Sequence, residues 1–162
     1  MKQRTRVLIA LGALVLVAVV VLGVDALQRQ LASGTELPAG SIPLYLDGRF
    51  VAAFVPADLE GLTKTGFTDA EEGKPQEGYL LRDVIRRRLS AGELKPGSLV
   101  TVTSSSRGKQ AQVSWSEVDD PANNVLLAVS NRGTLKLVSV LPALDVRDEW
   151  VQDVDRIEVT SP

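Results

Sequence analysis

Ser104-Ser105-Ser106-Arg107-Gly108-Lys109 is the segment whose residue types most readily do chemistry. Three hydroxyls, a run of backbone N–H groups and two cations can cradle a phosphate. Ser104, Ser105, Ser106, Arg107 and Lys109 are therefore the candidate cofactor-binding residues. A serine beside a lysine can also form a nucleophile–base pair, but only if burial strips the lysine of its proton. The same composition suits a solvated hairpin tip, where small polar residues and glycine belong.

Other clusters have chemistry of their own. Arg82, Arg86 and Arg87, beside Arg88, can meet a carboxylate-bearing partner through bidentate bonds, or simply line a solvated helix face. Asp69, Glu71 and Glu72, like Asp145, Asp148 and Glu149, offer oxygen ligands of the kind calcium takes. Neither has the spacing and glycine of an EF-hand loop. Trp115 and Trp150 read most simply as core residues; an exposed tryptophan would instead mark an interface.

Two absences bound the function more firmly than any of these. The sequence has no cysteine and no histidine. No disulfide can form, and Ser-His-Asp and Cys-His triads are excluded. The usual thiolate and imidazole ligands of zinc are missing, as is the attachment site of a c-type haem. The remaining carboxylates and lysines show no spacing that sets a matched acid and base. The residues thus point to no catalytic centre, no metal and no cofactor.

Positioning begins with Val7 to Val24, eighteen residues without a charge, preceded by Lys2, Arg4 and Arg6. A helix of that length rises about 27 Å, close to the hydrocarbon thickness of a bilayer. The segment has no polar face, which argues against a buried core helix. Val7, Leu11, Leu14, Val17, Val20 and Val24 are read as a membrane anchor in contact with lipid. The preceding cations place the N-terminus in the cytoplasm and the rest outside it, in a single-pass arrangement at the cell membrane. A cleaved signal peptide is the alternative, with Val24-Asp25-Ala26 as its cut.

Residues 1–27 are accordingly a cytoplasmic stub and anchor. Residues 28–41, polar and holding Gly34, Pro38 and Gly40, read as a tether, and 42–162 as one extracytoplasmic domain. Without Lys2, Arg4 and Arg6, the 18 basic residues fall to 15 against 20 acidic ones, a balance of about −5. That argues against nucleic acid, which demands a basic face, and equally against docking onto anionic lipid heads.

Within the outer domain, Pro43 to Val55 reads as a hairpin around Asp47-Gly48, a pair suited to a type I′ turn. Pro56 to Glu60 makes one helical turn, and polar Thr63 to Gly78 reads as a surface loop. Tyr79 to Leu89 is predicted as the main helix, with Leu80, Leu81, Val84, Ile85 and Leu89 on one face and Gly92 as a left-handed cap. Leu99 to Thr103 is β-rich. Gln110 to Trp115 alternates, with Ala111, Val113 and Trp115 facing inward. Asn124 to Ser130 and Thr134 to Leu141 read as strands around Asn131-Arg132-Gly133, and Trp150 to Val159 closes the core. The fold class expected is α+β: one N-terminal transmembrane helix, then a small mixed or antiparallel β-rich domain with one main helix.

The order of these elements resembles the molybdopterin-binding domain of sulfite-oxidase-type oxidoreductases. The likeness is carried by Gly78 with Leu80 to Ile85, Val100-Thr101-Val102-Thr103-Ser104, Val113-Ser114-Trp115, Leu126-Leu127-Ala128, and Asn131-Arg132-Gly133 with Leu135. Trp150-Val151 followed by Ile157-Glu158 is similar to the family's closing pattern. The likeness spans Pro43 to Val159 and concerns core positions and turns. It implies a molybdopterin-domain-like fold and a setting in electron transfer. The departures fall on the chemistry. The family's molybdenum is held by a cysteine thiolate and its pterin phosphate partly by histidine, and this chain has neither residue. Pro142-Ala143-Leu144-Asp145-Val146-Arg147 stands where a glycine-rich, arginine-bearing segment is usual, and the chain is shorter than members with full pockets.

The resulting expectation is a non-catalytic accessory subunit, bound to other subunits of a membrane complex of respiratory or photosynthetic type. The alternative is a redox protein that holds molybdopterin without a thiolate.

Overall fold

Alternating side chains generate most of the structure. In Ile42-Pro43-Leu44-Tyr45-Leu46, every second residue is buried, as a strand with one covered face requires. The computed structural model describes residues 37–162, in which Pro38 to Pro162 form one unit. The stub, the anchor residues Val7, Leu11, Leu14, Val17, Val20 and Val24, and most of the tether lie outside the described residues. No helix among the described residues is long and apolar enough to cross a membrane.

Ten strands and two short helices make up the domain. They are β1 (Ile42–Leu46), β2 (Arg49–Phe54), β3 (Lys64–Thr68), β4 (Pro75–Leu80), α1 (Leu81–Arg86), β5 (Leu99–Ser104) and β6 (Lys109–Ser114). Then come α2 (Trp115–Asp119), β7 (Leu126–Val129), β8 (Leu135–Val138), β9 (Val151–Gln152) and β10 (Arg156–Thr160). The first sheet has the order β2-β1-β10-β5-β6 and is mixed, because β1 and β10 run parallel. The second has the order β3-β4-β7-β8-β9 and is antiparallel throughout. The domain is β-rich, with two sheets and few helices.

Register aligns the core. Across the first sheet, Leu44 pairs with Ile157, Ile157 with Val102, and Val102 with Ala111. The next inward row is Leu46, Val159, Val100 and Val113. Across the second sheet, Tyr79, Leu127, Leu137 and Val151 form a matching row. These rows join one cluster with Leu81, Val84 and Ile85 of α1 and Val118 of α2. The second sheet is covered on its other face too, where Leu126, Ala128, Val138 and Trp150 pack with Phe67 and Leu80.

Several expectations hold. The first hairpin turns on Asp47 and Gly48, with φ of 50° and 75°, as a type I′ turn needs. Pro56–Leu59 is a single 3₁₀ turn. Trp150, Val151, Val154, Ile157 and Val159 are all buried.

Others are corrected. Thr63 to Gly78 is not a surface loop, because β3 and β4 form a hairpin within it. Its edge strand half-buries only Thr65 and Phe67, so its polar exposed residues imitate a loop. The main helix is shorter than expected. Tyr79 and Leu80 belong to β4, paired with Leu127 and Leu126, and α1 has only six residues. Pairing with β7 overrides the helical spacing of Leu80, Leu81, Val84 and Ile85. Gly92 lies outside the left-handed region and is not the expected cap. Trp115 opens α2 rather than extending β6. Glu117 N–H donates to Ser114 Oγ, and Ser114 N–H donates back to Glu117 Oε2 at 2.8 Å, a capping box that turns the chain at Ser114.

Candidate functional site

The β5–β6 turn holds the sequence-predicted loop. Ser105–Arg107 form a 3₁₀ turn closed by Gly108, whose φ is 59°. Its donors are directed at the chain's own carboxylates. Ser105 N–H donates to Asp155 Oδ2 at 2.7 Å, and its hydroxyl donates to Oδ1 at 3.2 Å. Arg107 Nε donates to Asp153 Oδ2 at 2.8 Å. Lys109 Nζ donates to the Asp148 carbonyl. Ser104 is buried, with its hydroxyl 3.3 Å from that of Ser106. Ser105 and Arg107 thus donate to carboxylates and Lys109 to a main-chain carbonyl, while the Ser104 and Ser106 hydroxyls face each other.

Asp153 is the hub of this arrangement. It also accepts from Thr134 Oγ1 at 2.8 Å and from Arg132 Nη2 at 3.0 Å. The Thr134 hydroxyl first, then Arg107, hold its carboxyl below the ordinary aspartate range. Asp153 has a φ of 56°, a left-handed conformation that Asp tolerates better than most residues. Nothing local in the sequence signals this hub, since its partners lie far along the chain.

The arginine cluster is divided between two partners, Asp119 for Arg82 and Arg86, and Asp58 for Arg87. Arg82 donates to the Asp119 carbonyl at 2.8 Å. Arg86 pairs with the Asp119 carboxylate at 2.6 Å, with its guanidinium 5.8 Å from the Trp115 ring. Arg87 donates to the Asp58 carbonyl at 3.0 Å. Arg86 and Arg87 remain exposed and Arg82 is half-buried. An open cleft of about 380 Å³ includes Arg86, Leu94, Trp115 and Asp119 in its lining. Trp115 and Trp150 are 4% and 6% exposed, so neither is the exposed interface tryptophan.

The acidic cluster on the β3–β4 turn organises backbone. Asp69 accepts from the N–H groups of Glu71, Glu72 and Lys74, at 3.0, 2.7 and 3.3 Å. The Glu72 N–H foremost holds its carboxyl below the ordinary range. Glu72 pairs with Lys74 and Arg147, and Glu71 accepts from the Arg147 N–H at 3.0 Å. Asp145, Asp148 and Glu149 lie exposed before β9.

Sequence reasoning missed a third place, on the outward face of the second sheet. There Lys136 of β8 stands in an open cleft of about 400 Å³, with Gln76, Arg132, Arg147, Trp150 and Gln152 in its lining. The available signal was a lysine between Leu135 and Leu137, both buried on the opposite face. No protein-family model matches the chain, and no curated protein matches it.

Proposed function

We propose that this protein is a membrane-anchored, non-catalytic accessory subunit whose outer domain works by contact with other subunits of a membrane complex. The observation that carries the reading is the state of the one loop suited to a phosphate-bearing cofactor. Its donors are committed to Asp153, Asp155 and the Asp148 carbonyl. An incoming anion would have to displace carboxylates already held in place. The absence of cysteine and histidine removes the thiolate nucleophile, the imidazole base and the usual zinc ligands from the same domain. The apolar run after three cations supports anchorage, with the outer domain outside the cytoplasm. Tethering raises the effective concentration of the domain's surface for anything in the same membrane, so a modest interface suffices for association. The exposed guanidiniums of Arg86 and Arg87, with Arg82 behind them, are the contact we assign.

The likeness to molybdopterin domains adds a setting in respiratory or photosynthetic electron transfer. A thiolate-ligated molybdenum does not fit the residues present, because the sequence has no cysteine. Elemental and pterin analysis of the full-length protein, purified in mild detergent, tests the non-catalytic reading. Background molybdenum and no pterin are expected; unit molybdenum occupancy would overturn it in favour of a cofactor held without a thiolate.

A further inference from the structure

Lys136 carries a charge that the fold leaves uncompensated. One of its N–H groups donates to Gln76 Oε1 at 2.7 Å, and its ammonium lies 5.0 Å from the Trp150 ring centroid. Among the described residues it forms no ion pair within 4 Å. Its neighbours are paired. Lys74 and Arg147 share Glu72, and Arg132 shares Asp153 with Arg107. The buried Asp69 carboxylate is taken up by backbone N–H groups and Gln76 Nε2. Burial first, and then the Arg147 cation, hold the Lys136 ammonium below the ordinary lysine range, while Asp69 opposes them. A half-buried ammonium that gives one hydrogen bond to the protein and stands over an aromatic face at an open cleft keeps donors to offer an anion.

We propose that this cleft receives a carboxylate, the acidic side chain of a protein partner, with Lys136 as its charged donor. The proposal rests on the contact reading given above and names the chemistry of the partner. The other cations of the lining already have carboxylate partners, Lys74 and Arg147 on Glu72 and Arg132 on Asp153, so among the described residues Lys136 is the lining cation left to meet a carboxylate. Gln76 holds the ammonium from one side, Gln152 supplies a neutral amide group in the lining, and the Arg132 and Arg147 guanidiniums have further N–H groups there.

The test titrates the full-length protein, labelled at its indole nitrogens, with N-acetylglutamate methylamide at constant ionic strength. The Trp150 indole resonance should shift saturably and that of Trp115 should not. Lys136→Met should weaken binding by roughly tenfold to a hundredfold, the range for losing a charged hydrogen bond. Lys136→Arg, which keeps the charge, should retain most of it and shows that loss in the methionine variant is not misfolding. No shift up to the solubility limit, an equal shift in Lys136→Met, or tighter binding of inorganic phosphate would overturn the proposal. Affinity purification separates it from the broader reading. A partner recovered equally with wild type and Lys136→Met defeats this site alone, whereas no partner for wild type defeats the contact reading.

Discussion

Arg107 and Asp153 join the β5–β6 turn of the first sheet to the segment leaving the second, with Nε 2.8 Å and Nη2 2.7 Å from Oδ2. Arg132 and Thr134, from the β7–β8 turn, reach the same carboxylate. One acidic side chain therefore holds two turns from different sheets. That accounts for why a loop rich in donors is already occupied.

The arrangement makes stability depend on acid. Asp47, Asp69, Glu72, Glu93, Glu117 and Asp153 all have folded pKa values below their ordinary ones. Their stabilisation is complete above the unfolded value, near pH 4, and is lost as pH falls through the lower folded values. Denaturation midpoints should hold from about pH 7 to about pH 5 and decline below about pH 4. Asp153→Asn should lower the midpoint at neutral pH, with the gap to wild type narrowing in acid. A gap that widens in acid would contradict the role of Asp153.

Ile85 of α1 is 0% exposed and packs in the cluster shared by both sheets. Ile85→Ala should cost about 2–5 kcal/mol, read from chemical denaturation, because it removes buried methyl and methylene groups and leaves a cavity in the core. An unchanged midpoint would mean that the α1 face is misassigned.

Gly78 and Gly92 should respond unequally to alanine. A Cβ on Gly78 would lie 2.5 Å from the Leu127 carbonyl oxygen and 2.8 Å from the Ala128 Cα, both backbone atoms of the neighbouring strand. Gly78→Ala should cost roughly 1–3 kcal/mol or more. A Cβ on Gly92 meets nothing within 4 Å, so Gly92→Ala should stay within about 0.5 kcal/mol of wild type. Equal effects at the two positions would contradict the close approach of β4 to β7.

Legibility followed the range of the interactions. Asp47-Gly48 announces its turn because the needed φ values are local to that pair. Strands with one buried face, such as β1, β5 and β10, show their alternation directly. The β3–β4 hairpin hid because Lys64 to Thr68 is an edge strand in which only Thr65 and Phe67 are half-buried. Tyr79 and Leu80 look helical by spacing, yet hydrogen bonding to β7 decides their conformation. At Trp115 the alternation of Ala111 and Val113 runs on, while the capping box of Ser114 and Glu117, visible in the sequence, ends the strand. The grouping of Ser105, Arg107 and Lys109 was legible, but their partners Asp155, Asp153 and Asp148 come from 39 to 50 residues away. The Lys136 cleft is likewise assembled from β4, β8, β9 and the turns between them.

The N-terminal run should be retained in the mature protein. The motive is the length of the run from Val7 to Val24 behind Lys2, Arg4 and Arg6. Intact-mass spectrometry of the membrane fraction should find the chain with this segment. A mature protein that starts at Leu27 would show that it is a cleaved signal instead.

The central claim is that the outer domain acts by holding a partner. Its most direct measurement is affinity purification of the tagged full-length protein from membranes solubilised in several mild detergents. Stoichiometric recovery of at least one other membrane subunit is predicted, with loss of that subunit on Arg86→Glu while the fold is kept. Recovery of the chain alone, as a monomer in every detergent, would contradict the claim.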